Sequence, residues 1–218
     1  MLPALRQVPQ VIELSSRGQL MNVPSSDAVQ NSQNALQQQI SIDNLQASVV
    51  DYVAARVDAR TLARAKSLLE QSVPAALRQA DAIMQTSSAV ADMNEFQRKL
   101  TMQPVVSTRN DLAVDINRIM RTSVIAVQIQ TGVDQMVNRY LARDNIVALA
   151  PENLIPQKLA ARQAFMQKRA VDMMLFTYKD IRATELREFV VLMSDDSIQK
   201  LLDLSQQGIE VSLRETNP

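Results

Sequence analysis

Apolar residues recur along most of this chain at spacings of three and four, the interval that stacks side chains on one face of an α-helix. Leu45, Val49, Tyr52 and Val53 share such a face and predict a helix from Ser41 that breaks at Asp58 or Arg60. Leu62, Ala65, Leu68 and Leu69 define a second, ending before Pro74. Proline suits a first helical turn because its missing N–H would have no partner there, so a third helix is expected over residues 75–90 with Leu77, Ala80 and Met84 inward. Asp92 stands three residues before Glu95, a capping-box spacing, and predicts a short helix carrying Phe96 and Leu100 that stops before Pro104.

Between Pro104 and Pro151 there is no proline and a single glycine. Leu112, Ile116, Ile119, Met120, Val124 and Val127 form one stripe, which Ile129, Val133, Met136, Val137 and Tyr140 carry around the surface. As one helix over residues 108–143 the segment would span about 50 Å at roughly 1.5 Å per residue. Thr131-Gly132 is its expected kink, since glycine weakens a helix interior. After Pro151 and Pro156 another long helix carries Leu159, Met166, Ala170, Met173, Met174 and Ile181, with Phe165 and Phe176 beside the stripe. Thr184 is the expected N-cap of a helix holding Leu186, Phe189, Val190 and Met193 inward. A turn at Ser194-Asp195-Asp196-Ser197 leads to the last helix, whose seam is Ile198, Leu201, Leu202, Ile209 and Leu213.

No strand-type alternation is sustained anywhere, so the expected fold is all-α, a single helical domain of about eight helices with one or two long central helices. It occupies residues 43–218. Residues 1–42 are the expected irregular arm, since residues 15–42 are rich in Ser, Gln and Asn, with a helix starting near Asp27. A shift of 124 positions pairs Val57 with Ile181, Ala59 with Ala183, Leu62 with Leu186, Leu68 with Leu192 and Leu77 with Leu201, too few matches in this biased composition to establish a duplication.

Composition narrows the chemistry. The 218 residues include no His, Cys or Trp and only three glycines, Gly18, Gly132 and Gly208. Imidazole and thiolate, the usual general base, soft ligand and strong nucleophile, are therefore missing, and no glycine-rich loop can cradle a phosphate. No cofactor and no metal site is expected. Lys plus Arg and Asp plus Glu both number 23, so no global field draws nucleic acid. No apolar run approaches the roughly 20 residues needed to cross a bilayer.

One segment carries a resemblance. Tyr178, Thr184, Glu185, Leu186, Phe189 and the turn at residues 194–197 resemble the C-terminal signature of the bacterial domain of unknown function 2059, a family of exported helical proteins, over roughly residues 155–215. At the turn, where that family commonly carries a small residue, Pro and Gly, this chain has Asp195-Asp196-Ser197-Ile198. The resemblance implies a periplasmic helical domain whose export signal has been removed.

Four features are candidates for function. Asp195 and Asp196 are adjacent carboxylates, which divide acid and base roles when their environments differ; at a helix start, capping with Gln199 three positions after Asp196 accounts for them. Ser197 and Lys200 have a Ser-x-x-Lys spacing without its partner motifs. In residues 158–182, Lys158, Arg162, Lys168, Arg169, Lys179 and Arg182 face only Asp172 and Asp180, a patch suited to an acidic partner or lipid headgroups unless it is simply a solvated helix face. Met166, Met173, Met174 and Met193 are candidates for a pliable apolar surface, or for core. The expectation is a non-enzymatic envelope protein that acts by binding a protein partner through a surface including Arg162, Met166, Lys168, Arg169 and Met173. The rivals are a carrier of lipid or another hydrophobic ligand, with a methionine-lined cavity, and a His-independent hydrolase.

Overall fold

A computed structural model describes residues 11–13, 15–16, 31, 42–83, 89–102, 106–143 and 155–215. Among these residues every regular element is helical and there is no strand, as the three-and-four periodicity requires. The helices are α1 (Ile42–Ala54), α2 (Ala59–Gln71), α3 (Ala75–Ile83), α4 (Ala89–Met102), α5 (Ser107–Met120), α6 (Thr122–Arg143), α7 (Ile155–Thr177), α8 (Ala183–Met193) and α9 (Asp196–Glu215). None is long and apolar enough to cross a membrane. The start of the helix expected near Asp27 lies outside the described residues, as does Met84, while Asn31 is helical.

The chain divides into two compact units. One gathers Met1–Arg56, Val124–Gln163 and Asp203–Pro218; the other gathers Val57–Ser123 and Ala164–Leu202. In the first, Leu45 and Val49 of α1 and Ile209 and Leu213 of α9 close on Ile125, Ile129, Val133, Met136, Val137 and Leu141 of α6. Burying such side chains removes their apolar area from water, the main force ordering these helices. In the second, Ala65 of α2, Leu77 and Ala80 of α3, Leu112 and Ile116 of α5 and Val171, Met174 and Leu175 of α7 pack with Leu186, Phe189 and Met193 of α8.

Several boundaries differ from the expectation, each for a physical reason. Helix α4 starts at Ala89, so Asp92 lies in its first turn instead of capping it. The rod expected over residues 108–143 is broken at Arg121, the one described non-glycine residue with positive φ, at 55°. Asn117 seals the break: its Oδ1 accepts the Ser123 backbone N–H at 3.0 Å, and its Nδ2 donates to Ser123 Oγ at 3.1 Å. That side chain satisfies an N–H which the start of α6 would otherwise leave unpaired.

Helix α6 runs without a break through Gly132. A Cβ there would stand 2.7 Å from Leu213 Cδ1, so the missing side chain lets α9 approach. On α2, Ala65 is buried whereas Leu62 and Leu69 are exposed and Leu68 only packs at the margin, so the inward face is narrower than its leucines suggest. Val124 and Phe165 are likewise exposed.

Thr184 is not a cap. Helix α8 starts one residue before it, with Arg182 at the N-cap. An arginine side chain has no acceptor, so the closure runs one way: Glu185 accepts the Arg182 backbone N–H at 3.2 Å and the Arg182 guanidinium at 2.9 Å. The hydrogen bond to that guanidinium holds the Glu185 carboxyl below its usual range.

Candidate functional site

Helix α4 sets Asp92, Glu95, Phe96 and Lys99 on one face by the same three-and-four rule that builds cores. That face, Gln79 and Ala80 of α3 and the end of α7 with its following turn surround a cleft of about 440 Å³ in the second unit. Its floor is aromatic. Phe96 and Phe176 meet with ring centroids 5.5 Å apart at 56°, a tilted arrangement that their quadrupoles favour. Its rim is charged: Lys99 pairs with Glu95 at 2.8 Å, Lys179 stands 3.9 Å from Asp180, and Lys179 Nζ also lies 5.5 Å from the Phe176 ring centroid. Arg109 of α5 fixes the turn that forms one wall, because its Nη2 donates to the carbonyls of Tyr178, Lys179 and Ile181.

The carboxylate candidates serve the start of α9. Asp195, not Asp196, is its cap: Oδ1 accepts the Ser197 backbone N–H at 3.0 Å and the Ser197 hydroxyl. Arg64 of α2 grips the same carboxylate, with Nη2 donating to Oδ2 at 2.7 Å and Nε reaching both oxygens. The Arg64 hydrogen bond first, then those from Ser197, hold the Asp195 carboxyl well below the usual carboxylate range. Asp58 is the matching cap of α2; it accepts the Thr61 N–H at 2.8 Å and pairs with Lys200 of α9 at 2.8 Å, and its carboxyl is lowered chiefly by that lysine. Each cap is thus held by a cation from the other's helix. Ser197 Oγ and Lys200 Nζ, the two ends of the Ser-x-x-Lys spacing, are both committed to these carboxylates, and Gln199 turns away to donate to the carbonyls of Met193 and Ile119.

Most of the cations expected on the α7 surface are ion-paired. In the first unit Arg162 reaches Asp134 at 2.5 Å and Thr131 at 3.2 Å with only 23% of its side chain exposed. In the second, Lys168 pairs with the buried Asp172 at 2.9 Å, and Gln97 donates to the same carboxylate at 3.3 Å. Lys179 and Arg182 are also paired, while Lys158 has no described side chain. Arg169 is exposed, Met166 is half-buried and Met173 packs against the second core. Met174 and Met193 are buried core residues. Among the described residues no methionine lines the cleft.

No family model, curated protein sequence or solved structure matches the chain. What distinguishes the cleft is its composition, since most other polar groups singled out in the sequence close helix ends or join neighbouring helices. Periodicity placed Phe96 with the core and read Asp92 and Glu95 as a cap; nothing in one dimension brings Phe96 to Phe176, 80 positions away.

Proposed function

We propose that this protein is a non-enzymatic helical factor of the bacterial envelope that works by binding a segment of another protein, with the cleft beside α4 as its anchor site. One observation carries the reading: paired phenyl rings lie beneath a ring of exposed charges in a recess of about 440 Å³. An apolar centre surrounded by polar groups is the usual anatomy of a protein-binding hot spot, where one inserted side chain supplies most of the affinity. The charged rim favours a peptide segment over a lipid chain. The envelope assignment, and membership in the domain of unknown function 2059 family, rest on the resemblance around Tyr178, Leu186 and Phe189.

The test is in-cell photo-crosslinking followed by mass spectrometry. A photoreactive residue at Thr177, in the cleft wall, is expected to give a discrete protein adduct, and one at the exposed Glu188 of α8 none. Equal or absent adducts from the two positions would remove the cleft as the binding surface. Fractionation of cells expressing the native gene tests the location: recovery with the cytoplasm would remove the envelope assignment.

A further inference from the structure

Among the described residues, one carboxylate of the cleft rim has no ion pair. Three carboxylates, Asp92, Glu95 and Asp180, face two ammonium groups, Lys99 and Lys179. Glu95 is engaged by Lys99 at 2.8 Å, and Lys179 is shared between Asp180 and the face of Phe176. Asp92, an exposed residue one helical turn before Glu95 on the same face, is the carboxylate left over. A group entering this recess meets phenyl surface below and the carboxylate of Asp92 at the edge. The ring face also accepts a cation, as the position of Lys179 demonstrates.

We infer that the segment bound by the cleft carries an apolar side chain directly beside a lysine or arginine, the apolar group seated on Phe96 and Phe176 and the cation at Asp92. The inference rests on the binding reading above and adds the chemistry of the occupant. An acidic neighbour would be repelled by Asp92 and would have to displace Glu95 or Asp180 from its lysine. A neutral one would leave Asp92 unused.

Two capped dipeptides distinguish these cases, acetyl-Phe-Lys-amide and acetyl-Phe-Glu-amide, titrated into the isotopically labelled full chain and followed by amide chemical shifts. The lysine probe is expected to shift Glu95, Phe96 and Thr177 saturably and to bind about two- to fivefold more tightly than the glutamate probe, the usual worth of one exposed ion pair. Asp92→Asn is expected to erase that preference. In the unaltered chain, raising ionic strength from about 0.01 M to about 1 M should erase it too, because screening then acts within about 3 Å. Equal binding of both probes, preference for glutamate, or a preference that survives Asp92→Asn or high salt overturns the inference while leaving the cleft as an anchor. If neither probe shifts these amides the inference also fails; the anchor reading itself fails only if Thr177 yields no adduct in cells or no more than Glu188 does.

Discussion

Replacing Gly132 by alanine tests the packing of the first unit at its tightest point. A Cβ built there lies 2.7 Å from Leu213 Cδ1, 3.0 Å from Leu213 Cβ and 3.3 Å from Cγ, against the roughly 3.5–4.0 Å at which carbon atoms attract. Turning the leucine about χ1 moves Cδ1 and Cγ away, but its Cβ is fixed to the α9 backbone, so relief requires the two helices to shift. Two effects oppose each other. Alanine gains about 1 kcal/mol over glycine in a helix interior, while forcing extra volume into a packed core costs about 1–3 kcal/mol. The expected net result is destabilisation of about 1 kcal/mol, a fall of roughly 2–4 °C in Tm for a chain of this size. Urea denaturation followed by circular dichroism measures it. In a Leu213→Ala background, itself costing about 2–5 kcal/mol, two of the three close contacts vanish and Gly132→Ala is expected to be neutral or stabilising. Stabilisation of the unaltered chain by the full helix-propensity gain would refute the close approach of α6 and α9. Gly208→Ala is a milder control, because its nearest neighbour, Tyr52 Cβ, is 3.3 Å away.

Phe189, 5% exposed and 6.2 Å from the Tyr178 ring, should cost about 3–5 kcal/mol on truncation to alanine, whereas Thr184→Ala, at an exposed position that caps nothing, should shift the denaturation midpoint hardly at all. Arg121→Gly should keep or raise the midpoint, because glycine escapes the roughly 1–2 kcal/mol penalty of left-handed backbone that any side chain bearing Cβ pays, and Arg121→Val should lower it, because a β-branched side chain is worse still at φ of 55°. The pH dependence follows from the lowered carboxyls of Asp195 and Asp58: an unfolded aspartate takes up its proton near about pH 3.9 while the folded one resists, so the stability they lend is complete above that value and is lost as the medium is acidified through the folded pKa. Asp195→Asn, which can still cap α9, should flatten urea midpoints measured between about pH 5 and pH 2.

How far the fold was legible depended on whether the cause was local. The seams at Leu45 and Val49, Leu77 and Ala80, Leu112 and Ile116, and Ile209 and Leu213 all bury as their spacing predicts, because amphipathic periodicity records which face meets the core. The break at Arg121 carried no such signal. Arginine is a good helix former, and the bonds that stabilise the turn come from Asn117 across six positions to Ser123. Gly132 was ambiguous in principle: a helix-interior glycine marks either a weak ladder or a close neighbour, and only Leu213 decides between them. The cleft was the least legible feature. Its charges looked like capping and solvated helix surface, and its rings like core, until α3, α4 and the end of α7 met.

The division of the chain also has a consequence for biosynthesis. The unit containing Val57–Ser123 and Ala164–Leu202 has all its segments once Leu202 has been made, whereas the unit containing Met1–Arg56 and Val124–Gln163 still awaits Asp203–Pro218. During translation, α1 and α6 must therefore keep Leu45, Val49, Val133 and Val137 from unproductive contacts until Ile209 and Leu213 emerge. No single uninterrupted fragment reproduces this unit without also including the whole of the other. A released fragment ending at residue 202 should consequently protect α5 and α8 from protease while leaving α6 open to cleavage.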